Sequence, residues 1–119
     1  MARALALLLT ALAGVSAALA QDVQRISPLA AINHVGERAM VCGRVASANF
    51  LADKSLLIAI DYPYPGHQFS ALIQPADRIK FNSPELNLLG KRICSNSTIL
   101  LSQGRAQMIL KEPGQLTIQ

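Results

Sequence analysis

Tryptophan is absent from the chain, and its 119 residues hold only 2 Tyr and 3 Phe. Extended stacking platforms, on which base after base is laid against an aromatic ring, are therefore excluded as the main basis of any binding surface. Histidine occurs twice, at His34 and His67, far apart and outside any Cys-x-x-Cys pattern, so no metal site and no cofactor is expected. No spacing announces a nucleophile, a base and an orienting group together, and Asp77 and Glu85 do not form a general acid–base pair in any known pattern. Catalysis is not expected. Past residue 20 no apolar run approaches the roughly 20 residues that cross a bilayer as a helix.

Residues 1–20 have a different character. Arg3 supplies an early positive charge, Ala and Leu dominate from Ala4 to Ala13, and Ala18-Leu19-Ala20 precedes the polar Gln21-Asp22. These are the three parts of a cleavable secretory signal, and the Ala-rich, short run with its cleavage site argues against a membrane anchor. The expected product is a single domain over 21–119, periplasmic or secreted from a bacterium. The whole chain carries a net charge of +4; removal of Arg3 leaves ten Lys and Arg against seven Asp and Glu, a net +3. That mild excess suits a polyanionic partner without demanding one. The two cysteines, Cys42 and Cys94, are even in number and widely spaced, as expected for one disulfide in an oxidising compartment.

Ser27-Pro28 reads as a helix start, with Leu29, Ile32 and Val35 at helical spacing and Gly36 as the stop. His34 falls in that helix as a surface residue. From Arg38 to Phe50 the period is two, Val41, Gly43 and Val45 on one face and Met40, Cys42 and Arg44 on the other. The stretch is long for one strand, and Gly43 predicts a bend. Further strands are expected at Ser55–Ile60, Gln68–Ile73, Arg92–Leu101 and Ala106–Lys111, with a final short segment at Gln115–Ile118. The Pro-rich segment Asp61–Gly66 is a loop, and Ser102-Gln103-Gly104-Arg105 a tight hairpin turn. Between strands three and four, Pro75 to Gly90 predicts short helical turns, with Ser83-Pro84-Glu85 as a second start.

The expected fold is mainly β: a five-stranded, OB-fold-like Greek-key barrel with a short N-terminal helix and a helical segment between strands 3 and 4. In such a barrel the first and fourth strands are neighbours. Cys42 follows the inward Val41 and Cys94 follows the inward Ile93, so both sulfurs should meet on the outer face.

Ile26-Ser27-Pro28, His34-Val35-Gly36-Glu37, Val41-Cys42-Gly43-Arg44-Val45 and Gly90-Lys91-Arg92-Ile93-Cys94 together resemble small bacterial exported OB-fold proteins. Tyr64-Pro65 before Phe69, Asp77-Arg78 before Phe81, Gly104, and Pro113-x-Gln115-Leu116-x-Ile118 continue the resemblance over nearly all of 21–119. It implies an OB-fold domain of the nucleic-acid-binding type. The chain departs from that pattern at Ser95-Asn96-Ser97, at Leu100-Leu101 and at Leu56 or Leu57, where the family carries a bulge glycine or aromatic residues.

Binding of a single strand needs exposed aromatics and cations in one groove. Phe69 and Phe81 suit the core and Phe50 fits either core or surface, so Tyr62 and Tyr64, among loop prolines, are the leading exposed aromatics. Arg44, Arg105 and Lys111 are the matching cations, with Lys54 a further candidate. The candidate ligand-binding set is thus Arg44, Tyr62, Tyr64, Arg105 and Lys111. Two functions fit: an exported binding module for single-stranded nucleic acid, or an envelope protein-interaction or stress module that uses the barrel as a scaffold.

Overall fold

A computed structural model of the chain describes residues 23–82 and 88–119. The proposed signal at 1–20 and the helix start at Ser83-Pro84-Glu85 lie outside the described residues. Among the described residues eight strands form the sheet: β1 (Arg25–Ile26), β2 (Arg38–Phe50), β3 (Leu56–Ile60), β4 (Phe69–Ile73), β5 (Arg92–Thr98), β6 (Leu100–Ser102), β7 (Arg105–Ile109) and β8 (Leu116–Ile118). Their order is β6-β7-β4-β3-β2-β5-β8, with β1 parallel to β2 off that path. All other pairs are antiparallel except β4–β7. The mainly β expectation holds.

β2 is as long as its sequence suggests, and it has two partners. Arg38 to Arg44 pair with β5, whereas Val45 to Phe50 pair with β3, with a register shift between Val45 and Ser47. The bend expected at Gly43 falls where these two pairings meet. A Cβ at position 43 would run into the Ile60 side chain and sit 2.9 Å from Asp61 Oδ1, so only glycine lets β2 pass under the end of β3. Alternate residues of β2, Ala39, Val41 and Val45, point into a core shared with Leu56, Ile58, Ile60, Phe69, Ile73, Ile93, Met108 and Leu110. Full burial of each large side chain here stabilises the fold by about 1.5–3 kcal/mol.

Three expectations are corrected. Among the described residues the sheet is open and has eight strands, not a closed barrel of five. The predicted fourth strand breaks at Ile99, which donates its N–H to Glu37 O (2.9 Å) and accepts from Gly36 N–H (2.7 Å). That detour leaves β5 with β2 and β6 with β7, and the gap between β5 and β7 is bridged by Ser97 Oγ donating to Ile109 O (3.2 Å). The N-terminal helix is a single 3-10 turn, Ala31–His34. Ser27 does accept at its start, from Ala30 N–H at 3.2 Å, and Gly36 ends it at φ +94°. Yet Leu29, Ile32 and Val35 are exposed, and only Ala31 is buried. So short a turn cannot present a continuous apolar stripe. Between β4 and β5 the described helical residues are α1 (Pro75–Arg78) and a 3-10 turn at Ile79–Phe81, as expected.

Other expectations are met. The β6–β7 turn has left-handed residues at both centres, Gln103 (φ 51°) and Gly104 (φ 78°), which suits the right-handed twist of a two-residue hairpin. Cys42 and Cys94 stand directly opposite one another on β2 and β5, bonded to each other, with α-carbons 4.0 Å apart.

The bridge closes 52 residues, so replacing both cysteines with alanine should cost about 4 kcal/mol of unfolding free energy in urea titrations. Gly43→Ala should cost about 1–3 kcal/mol by overpacking against Ile60 and Asp61, read as a lower urea midpoint with unchanged m-value.

Candidate functional site

On β3, β4 and β7 the faces that point away from the core carry Leu57, Ser70, Leu72, Arg105 and Gln107; Leu57 stands opposite Leu72, and Ser70 opposite Gln107. Over them folds the loop between β3 and β4, held by Tyr64 N–H donating to Ser47 Oγ (2.9 Å) and Gly66 N–H donating to Pro63 O (2.9 Å). Leu51 from the β2–β3 turn and Ser102-Gln103 from the β6–β7 turn complete the rim of a depression of about 220 Å³. Its floor is apolar through Leu57 and Leu72. Polar groups surround it, and one pair is already satisfied, Gln107 Nε2 donating to Ser70 Oγ at 3.0 Å.

Tyr64 and His67 stack at one side, ring centroids 5.7 Å apart and planes inclined by 26°. Tyr64 keeps 45% of its surface exposed, whereas His67 beneath it keeps 4%. His67 Nδ1 is buried and has no hydrogen-bond partner among the described residues. Burial, and then the nearby Arg105 charge, hold the His67 imidazole below its ordinary pKa, so it resists protonation. A neutral ring under Tyr64 and a permanent cation at Arg105 make a surface suited to a flat, electron-rich ligand with an anionic neighbour.

The predicted ligand-binding residues do not gather in one place. Tyr64 and Arg105 share the depression just described. Arg44 and Tyr62 share another, of about 390 Å³, with Leu29, Ala46 and Asp61. There Arg44 Nη1 donates to Gly90 O (2.6 Å), and its backbone N–H donates to Asp61 Oδ1 (3.0 Å). Lys111 lines neither; its N–H donates to Gln115 Oε1 (2.7 Å) and its carbonyl accepts from Lys80 Nζ (3.2 Å). Lys54 sits on the β2–β3 turn, its carbonyl accepting from Arg78 Nη1 (3.3 Å), while the Arg78 guanidinium lies 4.3 Å over the exposed Phe50 ring.

Sequence reasoning missed His67, Ser70 and Gln107. Two faint signals exist: Ser70 is a polar residue in an otherwise apolar strand, and Gln107 alternates with the core residues Ala106 and Met108. Nothing in the sequence marks His67 as buried. Among the described residues no three His, Cys, Asp or Glu side chains converge as a metal site, and no helix is long and apolar enough to cross a membrane.

No protein family matches the chain. No curated protein does either. Solved structures are similar in fold. One is "OBody AM1L10 bound to hen egg-white lysozyme", 16% identical, with a TM-score of 0.53 over 73% of this chain and 83% of that one. Another is a protein assigned as an aspartyl-tRNA synthetase from Leishmania major Friedlin, 9% identical, with a TM-score of 0.57 over 91% of this chain. This chain spans about a quarter of that protein, 25% of its length. At such identities the likeness is one of fold alone.

Since the unfolded chain protonates an ordinary imidazole and the folded one keeps His67 neutral, stability should fall as pH drops below about 6.5. Above that value the contribution is fully present. Urea midpoints at pH 7.5 and 5.5 measure the loss, and His67→Gln should reduce the difference between them.

Proposed function

We propose that the chain is an exported, non-catalytic binding module of the OB type whose ligand is single-stranded nucleic acid, held on the outer face of β3, β4 and β7. An OB domain is a five-stranded, partly open Greek-key barrel. With β2 as its first strand, β3 and β4 are the second and third, β5 with β6 the broken fourth, and β7 the fifth. β1 and β8 are then additions to that unit. The parallel β4–β7 pair and the β2–β5 pair are the two non-sequential neighbours this reading requires. OB domains bind oligonucleotides and oligosaccharides on the face of strands two and three, between the first and fourth connecting loops. The observation that carries the reading is the depression at that position, flanked by Leu51 and Gln103 of those two turns and carrying both Tyr64 and Arg105. The Cys42–Cys94 disulfide is consistent with an oxidising compartment and supports export.

A protein partner is the second reading. It is favoured by the exposed Leu100 and Leu101 on β6, which ends the sheet. The OBody structure of similar fold is, by its title, bound to a protein. Under this reading the barrel is a scaffold for an envelope interaction.

Fluorescence anisotropy with short single-stranded DNA and RNA separates the two. Binding at 25 mM salt that weakens steeply by 200 mM is expected, because released counterions drive phosphate contacts. Tyr64→Ala should cost about 1–3 kcal/mol of binding free energy, and Arg105→Ala should flatten the salt dependence. Absence of binding at 25 mM salt rejects the nucleic-acid reading.

A further inference from the structure

The outward faces of β2 and β5 hold a second concentration of charge, separate from the Tyr64 depression. Residues pair across these strands in strict register: Cys42 with Cys94, and two positions further along β2, Arg44 with Arg92. Two like charges directly opposite on an antiparallel pair repel, an arrangement that sheets avoid. Arg25, on β1, joins Arg92 in lining a depression of about 380 Å³ beside the disulfide, and Arg44 lines the adjoining one. Among the described residues Asp61 is the one carboxylate lining both. Its Oδ1 already accepts from the Arg44 backbone N–H. Among the described residues none of the three guanidinium groups has an ion-pair partner.

We infer that this patch is a phosphate-binding site, built from Arg25, Arg44 and Arg92. Three guanidinium charges against the Asp61 carboxylate leave an excess of about two, which a doubly charged phosphate monoester matches and a single carboxylate does not; the more highly charged pyrophosphate offers the same terminal oxygens as a probe. The disulfide fixes the register beside Arg44 and Arg92, so the strands cannot slip to separate the two charges. Arg44 is further held by its contact with Gly90 O. A tetrahedral oxyanion accepts from two planar forks at once, and its charge removes the repulsion that the register imposes. Such a phosphate belongs either to the 5′ end of a nucleotide chain or to a glycerophosphate headgroup.

Titration calorimetry on the whole protein at low salt, with pyrophosphate as probe, tests the site. Wild type should bind, Arg92→Gln should weaken binding at least about tenfold, one of the two facing forks being lost. Arg92→Lys should recover part of it, because the charge returns without the fork. Tyr64→Ala should leave pyrophosphate affinity unchanged, which separates this site from the oligonucleotide face. A 5′-phosphorylated dinucleotide, the same dinucleotide without its phosphate, and glycerol 3-phosphate then assign the source by which binds in an Arg92-dependent way. Lack of pyrophosphate binding by wild type overturns the inference, as does equal affinity in wild type and Arg92→Gln.

Discussion

β2 serves two neighbours, and it does so because position 43 has no side chain. Its first half is laddered to β5 and its second half to β3, and between them the strand passes close under Ile60 and Asp61. Everything outward follows from that crossing. Cys42 faces Cys94 and Arg44 faces Arg92 because β5 is in register with the first half. Ser47 stands where it can receive the Tyr64 N–H because the second half is shifted past the irregularity at Ala46. A residue with a Cβ at 43 would push β3 and the start of the Asp61 loop away from β2, and both polar faces would lose their geometry together.

The two faces are polar for different reasons. On β3, β4 and β7 the outward residues are mostly small or apolar and are covered by a loop, so the polar groups there are either paired, as Ser70 with Gln107, or enclosed, as His67. Enclosure disfavours the charged imidazole and leaves Arg105 as the cation of that face. On β2 and β5 Arg44 and Arg92 are exposed, and water screens them. The disulfide beside them keeps their backbones at strand spacing whether or not an anion is present. One face is thus shaped by burial and the other by covalent register.

Openness of the sheet has a local origin. Ile99 turns its backbone toward the 36–37 turn, and that single detour divides the expected fourth strand into β5 and β6. The side chain of Ile99 is fully buried, so the chain cannot straighten there without exposing it. Ser97 reaches across to Ile109 in place of a backbone ladder.

Alternation from Arg38 to Phe50, the Gly43 interruption, and the turn at Gln103-Gly104 were sufficient to place β2 with its bend and the β6–β7 hairpin. The reason is that period-two burial and left-handed turns are local properties of the chain. Cysteine parity likewise placed the disulfide on the outer face. The grouping of Arg44 with Tyr62 and Arg92, and of Tyr64 with His67 and Arg105, depends on which strands lie side by side. Those pairings join residues tens of positions apart, so residue type and spacing did not reveal that Arg44 and Arg105 belong to different faces. Nor did they reveal that His67 is buried, since burial there comes from a loop folding over β3, β4 and the distant β7. Local periodicity decided what each strand is, and only long-range packing decided which side chains meet.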